Sequence, residues 1–158
     1  MEENLKKYLE NNNIKFKEHK HKAVFTVAQS IAEGIKFSFA HTKNLFLTDK
    51  QGNFFLFCLQ AEKRAPLKKV KSLFNVKELQ FASPSDLKSE LNLTPGSVSI
   101  FGLINNPSVS LVLDQELYDA PGVGFHPNIN TSTLELSHDN FVKFYNSLPN
   151  KKVIIEIG

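Results

Sequence analysis

The chain has 158 residues, of which 41% are hydrophobic and 22% charged, and its formal net charge is +3. This mixture is that of a globular protein whose length suits one domain, residues 1–158, with a core of its own. The one cysteine, Cys58, lies in the apolar run "NFFLFCLQ" and excludes an internal disulfide framework and a cysteine metal cluster. No segment resembles a signal peptide or a membrane span, so we expect a cytoplasmic protein with no membrane partner.

The N-terminal part of the sequence predicts two helices separated by a short strand. Residues 2–11 carry apolar side chains at helical spacing and run into a series of asparagines, which predicts a helix and its end. The segment "IKFKEH" (14–19) is typical of a short strand. In "TVAQSIAEG" (26–34), a Thr–Gln capping box and a closing glycine predict the second helix.

A β-hairpin and a basic helix are predicted next. The stretch "KFSFAHTKNLFLTD" (36–49) leads through the glycine-containing turn "DKQGN" into "FFLFCL" (54–59), a strand that is apolar on both faces. A helix is predicted over "AEKRAPLKKVKSLF" (61–74). Its lysines favour a solvated helix face, and the alternative is a contact with a nucleic-acid backbone.

The C-terminal half mixes strands and helices without regular alternation. Strands are predicted at 78–83, 98–103, 109–114, 133–136 and 152–157, and helices at 83–92 and 137–148. The predicted class is α+β, with a mixed, mostly antiparallel sheet that is curled like a barrel and surrounded by helices. The initial methionine and the terminal strand lead us to expect a complete chain.

Lys43 occupies an unexpected position in the first strand of the hairpin. Side chains alternate along a strand with period two, so Phe39, Lys43 and Leu47 fall on one side. Either the strand breaks at "AHT" and the ammonium reaches water along its stem, or Lys43 points into a cleft. Because an ammonium is costly to remove from water without an anion or acceptors, a lysine in a cleft indicates a site for a partner such as phosphate.

Two further polar segments interrupt apolar strands. In "TPGSVS" (94–99), Gly96 can adopt a positive φ and turn successive backbone amides toward one point. The segment "GFHPNINT" (124–131) is a loop that holds His126, Asn128 and Asn130. Because binding groups concentrate on loops, both segments are candidate parts of a site.

The sequence has no HExxH, paired CxxC, Walker or GxSxG motif. His19 and His21, in "KEHKHK", favour a solvated edge over a metal site. We therefore expect no metal and no cofactor, and an enzyme with this sequence would lack a conventional nucleophile.

Five segments in order resemble one known family: "HKAVFTVAQS", "HTKNLFLTDKQGNFFL", "LQFASPSDLKSELNLTPGSVSIFGLINN", "VSLVLDQEL" and "GFHPNINTSTLELS". They are similar to the free-standing prolyl-tRNA editing proteins, relatives of the YbaK proteins and of the editing domain inserted in bacterial prolyl-tRNA synthetases. The resemblance covers about residues 19–145. It implies the fold of that family and the hydrolysis of the ester that joins a wrong amino acid to the 3′ end of proline tRNA.

The resemblance also implies the residues of the site. Lys43 matches the essential lysine of the family and is expected to anchor the terminal phosphate or ribose and to polarise the reacting group. Backbone donors are expected from Gly96, Ser97 and Val98, and a small pocket from Val24, Phe25 and Thr26. The remaining substrate-binding candidates are Asn44, Ser99, Gly124, His126 and Asn128.

Alternatives remain at this point. Alanine is the expected removed residue, with cysteine as the alternative, and the expected partners are the acceptor end of proline tRNA and prolyl-tRNA synthetase. Ile100 stands where the family commonly has proline after "GSVS", which leaves room for a non-catalytic tRNA-binding module with the same fold. A small-molecule binding domain that uses the same cleft is the third reading.

Overall fold

The computed structural model describes residues 1–23 and 39–157. The helix predicted over 26–34 and the pocket candidates Val24, Phe25 and Thr26 lie outside the described residues. No helix in the described ranges has both the length and the apolar character needed to cross a membrane.

Strands and helices follow one another in a mixed order in the described part of the chain. The strands are β1 Lys17–Lys20, β2 Ala40–Thr48, β3 Phe54–Gln60, β4 Gln80–Phe81, β5 Ser110–Asp114, β6 Gly122–Phe125, β7 Ser132–Ser137 and β8 Lys152–Ile155. The α-helices are α1 Glu3–Asn11, α2 Leu67–Phe74, α3 Pro84–Leu91, α4 Gln115–Asp119 and α5 His138–Ser147, and Ile100–Asn105 form a 3₁₀ helix.

All eight strands belong to one sheet with the order β1-β7-β6-β2-β3-β5-β8, in which β4 also pairs with β2. Four of the pairings are antiparallel (β1 with β7, β6 with β7, β2 with β3, β2 with β4), and three are parallel. The sheet curls without closing. The predicted α+β class with a mixed, mostly antiparallel curled sheet is confirmed.

The long strand β2 organises this sheet. It pairs with β3 from Thr42 to Thr48. Its start, at Ala40 and His41, pairs with β6, and its end, at Leu47 and Thr48, pairs with β4. The neighbour of β2 on the side away from β3 therefore changes from β6 to β4 along its length.

Both faces of β2 and β3 are covered by apolar side chains. The larger cluster contains Phe46, Cys58, Phe101 and Phe125, and the smaller cluster contains Leu47, Phe55, Phe57, Leu59 and Val70 of α2. Alternation along the strands assigns even-numbered residues of β2 to the larger cluster and odd-numbered residues to the smaller one. The apolar hairpin strand predicted at 54–59 is confirmed and is buried on both sides.

Helix capping explains why two helices begin where the sequence predicted. The Ser83 hydroxyl accepts a hydrogen bond from the Asp86 N–H at 3.0 Å, with Pro84 at the first helical position. The Ser137 hydroxyl accepts from the Asn140 N–H at the start of α5. Short polar side chains before an apolar pattern were sufficient signals in both cases.

Several predicted elements differ from the structure; the strand predicted over 78–83, for example, is only Gln80–Phe81. The helix predicted over 61–74 begins only at Leu67, immediately after Pro66, so residues 61–66 are not helical. The strand predicted over 98–103 is wrong: Ile100–Asn105 form a 3₁₀ helix, whose Phe101 N–H donates to the Ser99 hydroxyl at 3.2 Å. The strand predicted over 14–19 is shifted to Lys17–Lys20.

Two short elements were not predicted. Helix α4 is only five residues long, and strand β6 contains two glycines, which are poor strand formers. Gly124 in β6 is required by packing, because a Cβ there would collide with the ring of Phe39.

The segment 61–66 is held in place by the buried carboxylate of Asp114, which is fully buried at the end of β5. Its oxygens accept from the Gln60 N–H at 3.1 Å, from the Lys63 ammonium at 3.1 Å and from the Glu116 N–H at 3.0 Å. Burial alone would lower the pKa of Lys63, but hydrogen bonds to Glu116 and Asp114 outweigh it and hold that pKa above its usual value. Lys63 is therefore a structural cation.

Replacing Asp114 with alanine should destabilise the protein by about 3–5 kcal/mol, because the ammonium and two backbone donors lose their buried acceptor. Urea unfolding at pH 7 measures the change. The control is Asp139→Ala, an exposed carboxylate in the first turn of α5, which should cost less than about 1 kcal/mol. Equal losses in the two variants would contradict this account of the segment.

Candidate functional site

Lys43 lies within an unbroken strand. β2 runs without interruption from Ala40 to Thr48, and Lys43 is directly opposite Leu59 of β3. The interpretation in which the strand breaks at "AHT" is therefore wrong. Lys43 is half-buried and shares its face with Leu45 and Leu47.

A groove runs along this face of β2. It is lined by Lys43, Leu45 and Phe81 and by residues 62–68. Three cations line it (Lys43, Arg64 and Lys68) besides Lys63, whose ammonium is bound to Asp114 and Glu116. Glu62 is the one carboxylate among the lining residues. The groove therefore combines cationic and apolar side chains, which suits an anionic partner with hydrophobic parts.

The loop that begins at His126 is placed beside Lys43 by β6. His41 is opposite Gly124 in the parallel pairing, and the Thr42 hydroxyl donates to the Gly124 carbonyl at 2.8 Å. Because Gly124 has no side chain, the Phe39 ring packs directly on it. The predicted neighbours Lys43, Gly124 and His126 are thus brought to one region by strand pairing.

His126 is held as a neutral ring with a defined tautomer. Its Nδ1 lies 3.0 Å from the Ser132 carbonyl, which can only accept, so Nδ1 carries the proton and Nε2 is a hydrogen-bond acceptor. Burial lowers the pKa of His126, and the nearby His21 lowers it further, although the bond to Ser132 acts in the opposite direction. The ring therefore offers an acceptor nitrogen at neutral pH.

His19 lies in the edge strand β1 and His21 follows it, as the sequence indicates, and both side chains are half-buried on the same side of the sheet as this loop. His19 Nε2 is 2.8 Å from the Glu135 carboxylate, and His21 Nε2 is 2.9 Å from the Thr133 hydroxyl. The rings of His21 and His126 are 6.1 Å apart. Within the described ranges, no group of three or more histidine, cysteine or acidic side chains is arranged to hold a metal ion.

Two asparagines of the predicted site carry buried polar atoms that have no hydrogen-bond partner among the described residues. They are Oδ1 of Asn44 and both amide atoms of Asn128. Asn128 is only 6% exposed and has a positive φ of 65°, which places it in the left-handed region. Because an unpaired buried amide costs free energy, a polar ligand would be stabilised at each of these two positions. By alternation along β2, Asn44 lies on the face opposite Lys43.

The glycine loop has the backbone conformation that the sequence predicts. Gly96 has a φ of +87°, as predicted for the turn. The Ser97 N–H donates to the Thr94 carbonyl at 3.0 Å, which leaves Gly96 and Val98 as the candidate backbone donors. Ser97 is 7% exposed, and Ser99 is fully buried and caps the 3₁₀ helix.

Aromatic packing connects this loop to the His126 loop. The rings of Phe101, in the 3₁₀ helix, and Phe125, immediately before His126, are 5.8 Å apart with an edge-to-face orientation. Ile100 is fully buried at the start of that helix, so the residue that departs from the family pattern fills part of the core.

Sequence reasoning missed two residues of the groove, Arg64 and Phe81. The sequence pattern places Arg64 in a helix that in the structure begins only at Leu67, and it predicts a strand over 78–83 of which only Gln80–Phe81 form. The exposure of Phe81 depends on how β4 is placed against β2, and no local signal in the sequence reports that.

Comparisons with known proteins agree with this architecture. The family model of the aminoacyl-tRNA editing domain matches residues 21–144. A prolyl-tRNA editing protein, ProX, of Acetoanaerobium sticklandii is 31% identical over 140 residues, which cover 87% of this chain and 85% of the relative. The chain belongs to the aminoacyl-tRNA editing domain family.

Other members and solved structures extend the comparison. The prolyl-tRNA synthetase associated domain-containing protein 1 of Danio rerio is 28% identical over 96% of this chain and 84% of its own length. The solved structure of a candidate trans-editing enzyme for prolyl tRNA synthetase matches with a TM-score of 0.73 at 16% identity, covering 100% of this chain and 99% of that one. The structure of hypothetical protein APE2540 matches with a TM-score of 0.78 at 19% identity, over 98% and 99%. These structures share the fold of this editing domain.

The environment of His126 predicts a measurable pH effect. Its pKa in the folded protein should lie below 6.5, whereas in the unfolded chain it is about 6.5. The unfolded state then binds more protons, so His126 lowers the free energy of unfolding as the pH falls below about 6.5, and its contribution is complete above that pH. NMR titration of the histidine rings measures the pKa directly.

His126→Asn supplies the control, since it keeps a donor toward Ser132 but does not titrate. As the pH falls from 7 toward the folded-state pKa of His126, the unfolding free energy of wild type should decrease relative to that of this variant. A His126 resonance that titrates at or above 6.5 would contradict the assigned environment.

Proposed function

We propose that this chain hydrolyses the ester between a wrongly attached amino acid and the 3′ end of proline tRNA, and that the amino acid is alanine. Membership of the editing-domain family and the 31% identity to a prolyl-tRNA editing protein support the reaction and the tRNA. The observation that carries the proposal is the half-buried Lys43 in a cationic groove beside a loop with unpaired buried amide atoms.

The reaction itself requires little from the protein. A water oxygen bonds to the ester carbonyl carbon, the bond from that carbon to the ribose oxygen breaks, and the ribose oxygen takes a proton. An aminoacyl ester is already activated and has a vicinal ribose hydroxyl, so no protein nucleophile is needed. Positioning of the ester and the water, together with stabilisation of the oxyanion, then accelerates the reaction.

Lys43 anchors the terminal phosphate or ribose and polarises the reacting group. Its ammonium is fixed on a strand whose register is set by β3, so it can be held in position without reorganisation at the moment of reaction. The N–H groups of Gly96 and Val98 are the proposed oxyanion donors.

His126 and Asn128 hold the amino-acid end or the attacking water. The neutral His126 ring presents an acceptor nitrogen, which suits a water proton or the ammonium of the aminoacyl group. The buried amide of Asn128 offers both a donor and an acceptor. Asn44, the other substrate-binding candidate of β2, lies on the face of the strand opposite Lys43.

Size selection explains why alanine is the proposed residue. A synthetase pocket built for proline cannot strongly reject a smaller side chain, because missing methylenes are worth only about 1–3 kcal/mol. A second, tighter pocket admits alanine and excludes proline. We assign that pocket to Val24, Phe25 and Thr26, and cysteine is the alternative removed residue.

The same proposal sets the partners and the compartment. A protein that edits aminoacyl-tRNA acts where tRNA is charged, so we propose a cytoplasmic location with prolyl-tRNA synthetase as a partner. The relatives named for association with that synthetase support this part of the proposal.

Hydrolysis assays with alanine-, cysteine- and proline-charged proline tRNA test the proposal. Wild type should release alanine fastest and leave the proline ester intact. Lys43→Ala should lower kcat/KM by about 100-fold or more, because a charge at the reacting group is lost. Lys88→Ala, which removes an exposed lysine of α3, should retain wild-type activity.

Two outcomes would overturn this proposal. Binding of the charged tRNA without any turnover would indicate a non-catalytic module. Full activity of Lys43→Ala would show that the amine is not part of the reaction.

A further inference from the structure

Phe81 is exposed to an unusual degree for its residue type. It is 66% exposed. The next most exposed large hydrophobic side chain among the described residues is Leu73, at 48%. A single exposed hydrophobic side chain is common on protein surfaces and does not by itself mark a contact site. What surrounds the ring decides what it contacts.

The position of Phe81 is rigidly determined. Leu47 of β2 is opposite Phe81 of β4, and the Ala82 N–H donates to the Phe46 carbonyl at 2.9 Å. Ser83, which follows Ala82, caps α3. Ala82 packs against the larger cluster, so alternation along the strand directs Phe81 to the opposite side, into the groove.

Phe81 and Lys43 therefore occupy the same face of the sheet. Lys43 is four residues before Leu47 on β2, which corresponds to about 13 Å along the strand. Between and beside them lie the apolar side chain of Leu45 and the cations Arg64 and Lys68. The exposed ring, the cations and Lys43 thus line one groove.

We propose that Phe81 is a stacking platform for an unpaired base of the tRNA 3′ end, and that Arg64 and Lys68 bind the adjoining phosphates. This inference rests on the proposed function and adds the nucleobase subsite of the same groove. Every base has a π-face, so an exposed ring next to cations suits single-stranded RNA. Glu62 is the one lining carboxylate, so charge favours a polyanion over an acidic protein surface.

Binding of uncharged RNA measures this contact independently of catalysis. The probe is a fluorescent minihelix with the acceptor stem and unpaired 3′ end of proline tRNA, titrated with protein at fixed salt. Phe81→Ala should weaken binding by about 10-fold, because base–aromatic stacking is lost. Phe81→Trp should bind as wild type does, and Phe81→Leu, which is apolar but cannot stack, should be as weak as the alanine variant.

Two matched controls locate the effect. Leu73→Ala removes the other exposed hydrophobic side chain, on α2, and should bind as wild type does. A minihelix that lacks the unpaired 3′ nucleotides should bind wild type and Phe81→Ala equally. Arg64→Gln should make the plot of log K against log salt concentration less steep, by the amount that corresponds to the loss of about one phosphate contact.

Specific results would overturn the inference. If Phe81→Leu binds the minihelix as tightly as wild type, the ring serves an apolar protein contact instead. If Phe81→Ala weakens the truncated minihelix as much as the complete one, the contact is with the stem. Wild type that binds RNA through Phe81 but hydrolyses no ester would overturn the proposed function and leave this subsite standing.

Discussion

The register between β2 and β3 is the constraint on which the site depends. Phe46 and Leu47 are both buried, on opposite faces of the sheet, and belong to different clusters. A slip of one residue would exchange these faces and also exchange Lys43 with Asn44. The burial of two apolar residues at the end of the strand therefore fixes the side on which the ammonium lies.

The change of neighbour along β2 turns this register into a site. At its start, β6 brings the His126 loop beside Lys43, and at its end, β4 brings Phe81 to the same face. Residues 61–66, tied to Asp114, close the other side of the groove. Three sequence segments that are far apart thus meet around one amine because they pair with, or pack on, one strand.

The parts that the sequence predicted are those with local causes. Period-two alternation placed Lys43 correctly, and short polar caps located the starts of α3 and α5. The segment at 98–103 is apolar except for Ser99, and a short buried apolar run of this kind does not distinguish a strand from a helix. Strand β6 could not be predicted because its Gly124 is required by the packing of the Phe39 ring. The exposure of Phe81 could not be predicted because it depends on the pairing of β4 with β2. Both are tertiary contacts.

A structure of the protein with a non-hydrolysable substrate analogue, an adenosine 5′-phosphate whose 3′ position carries alanine through an amide, tests the central claim most directly. The account predicts Nζ of Lys43 within about 3.5 Å of a phosphate or ribose oxygen of the analogue. It also predicts the alanyl group beside the loop that contains His126 and Asn128. An analogue bound away from β2, with the Lys43 ammonium directed to solvent, would contradict it.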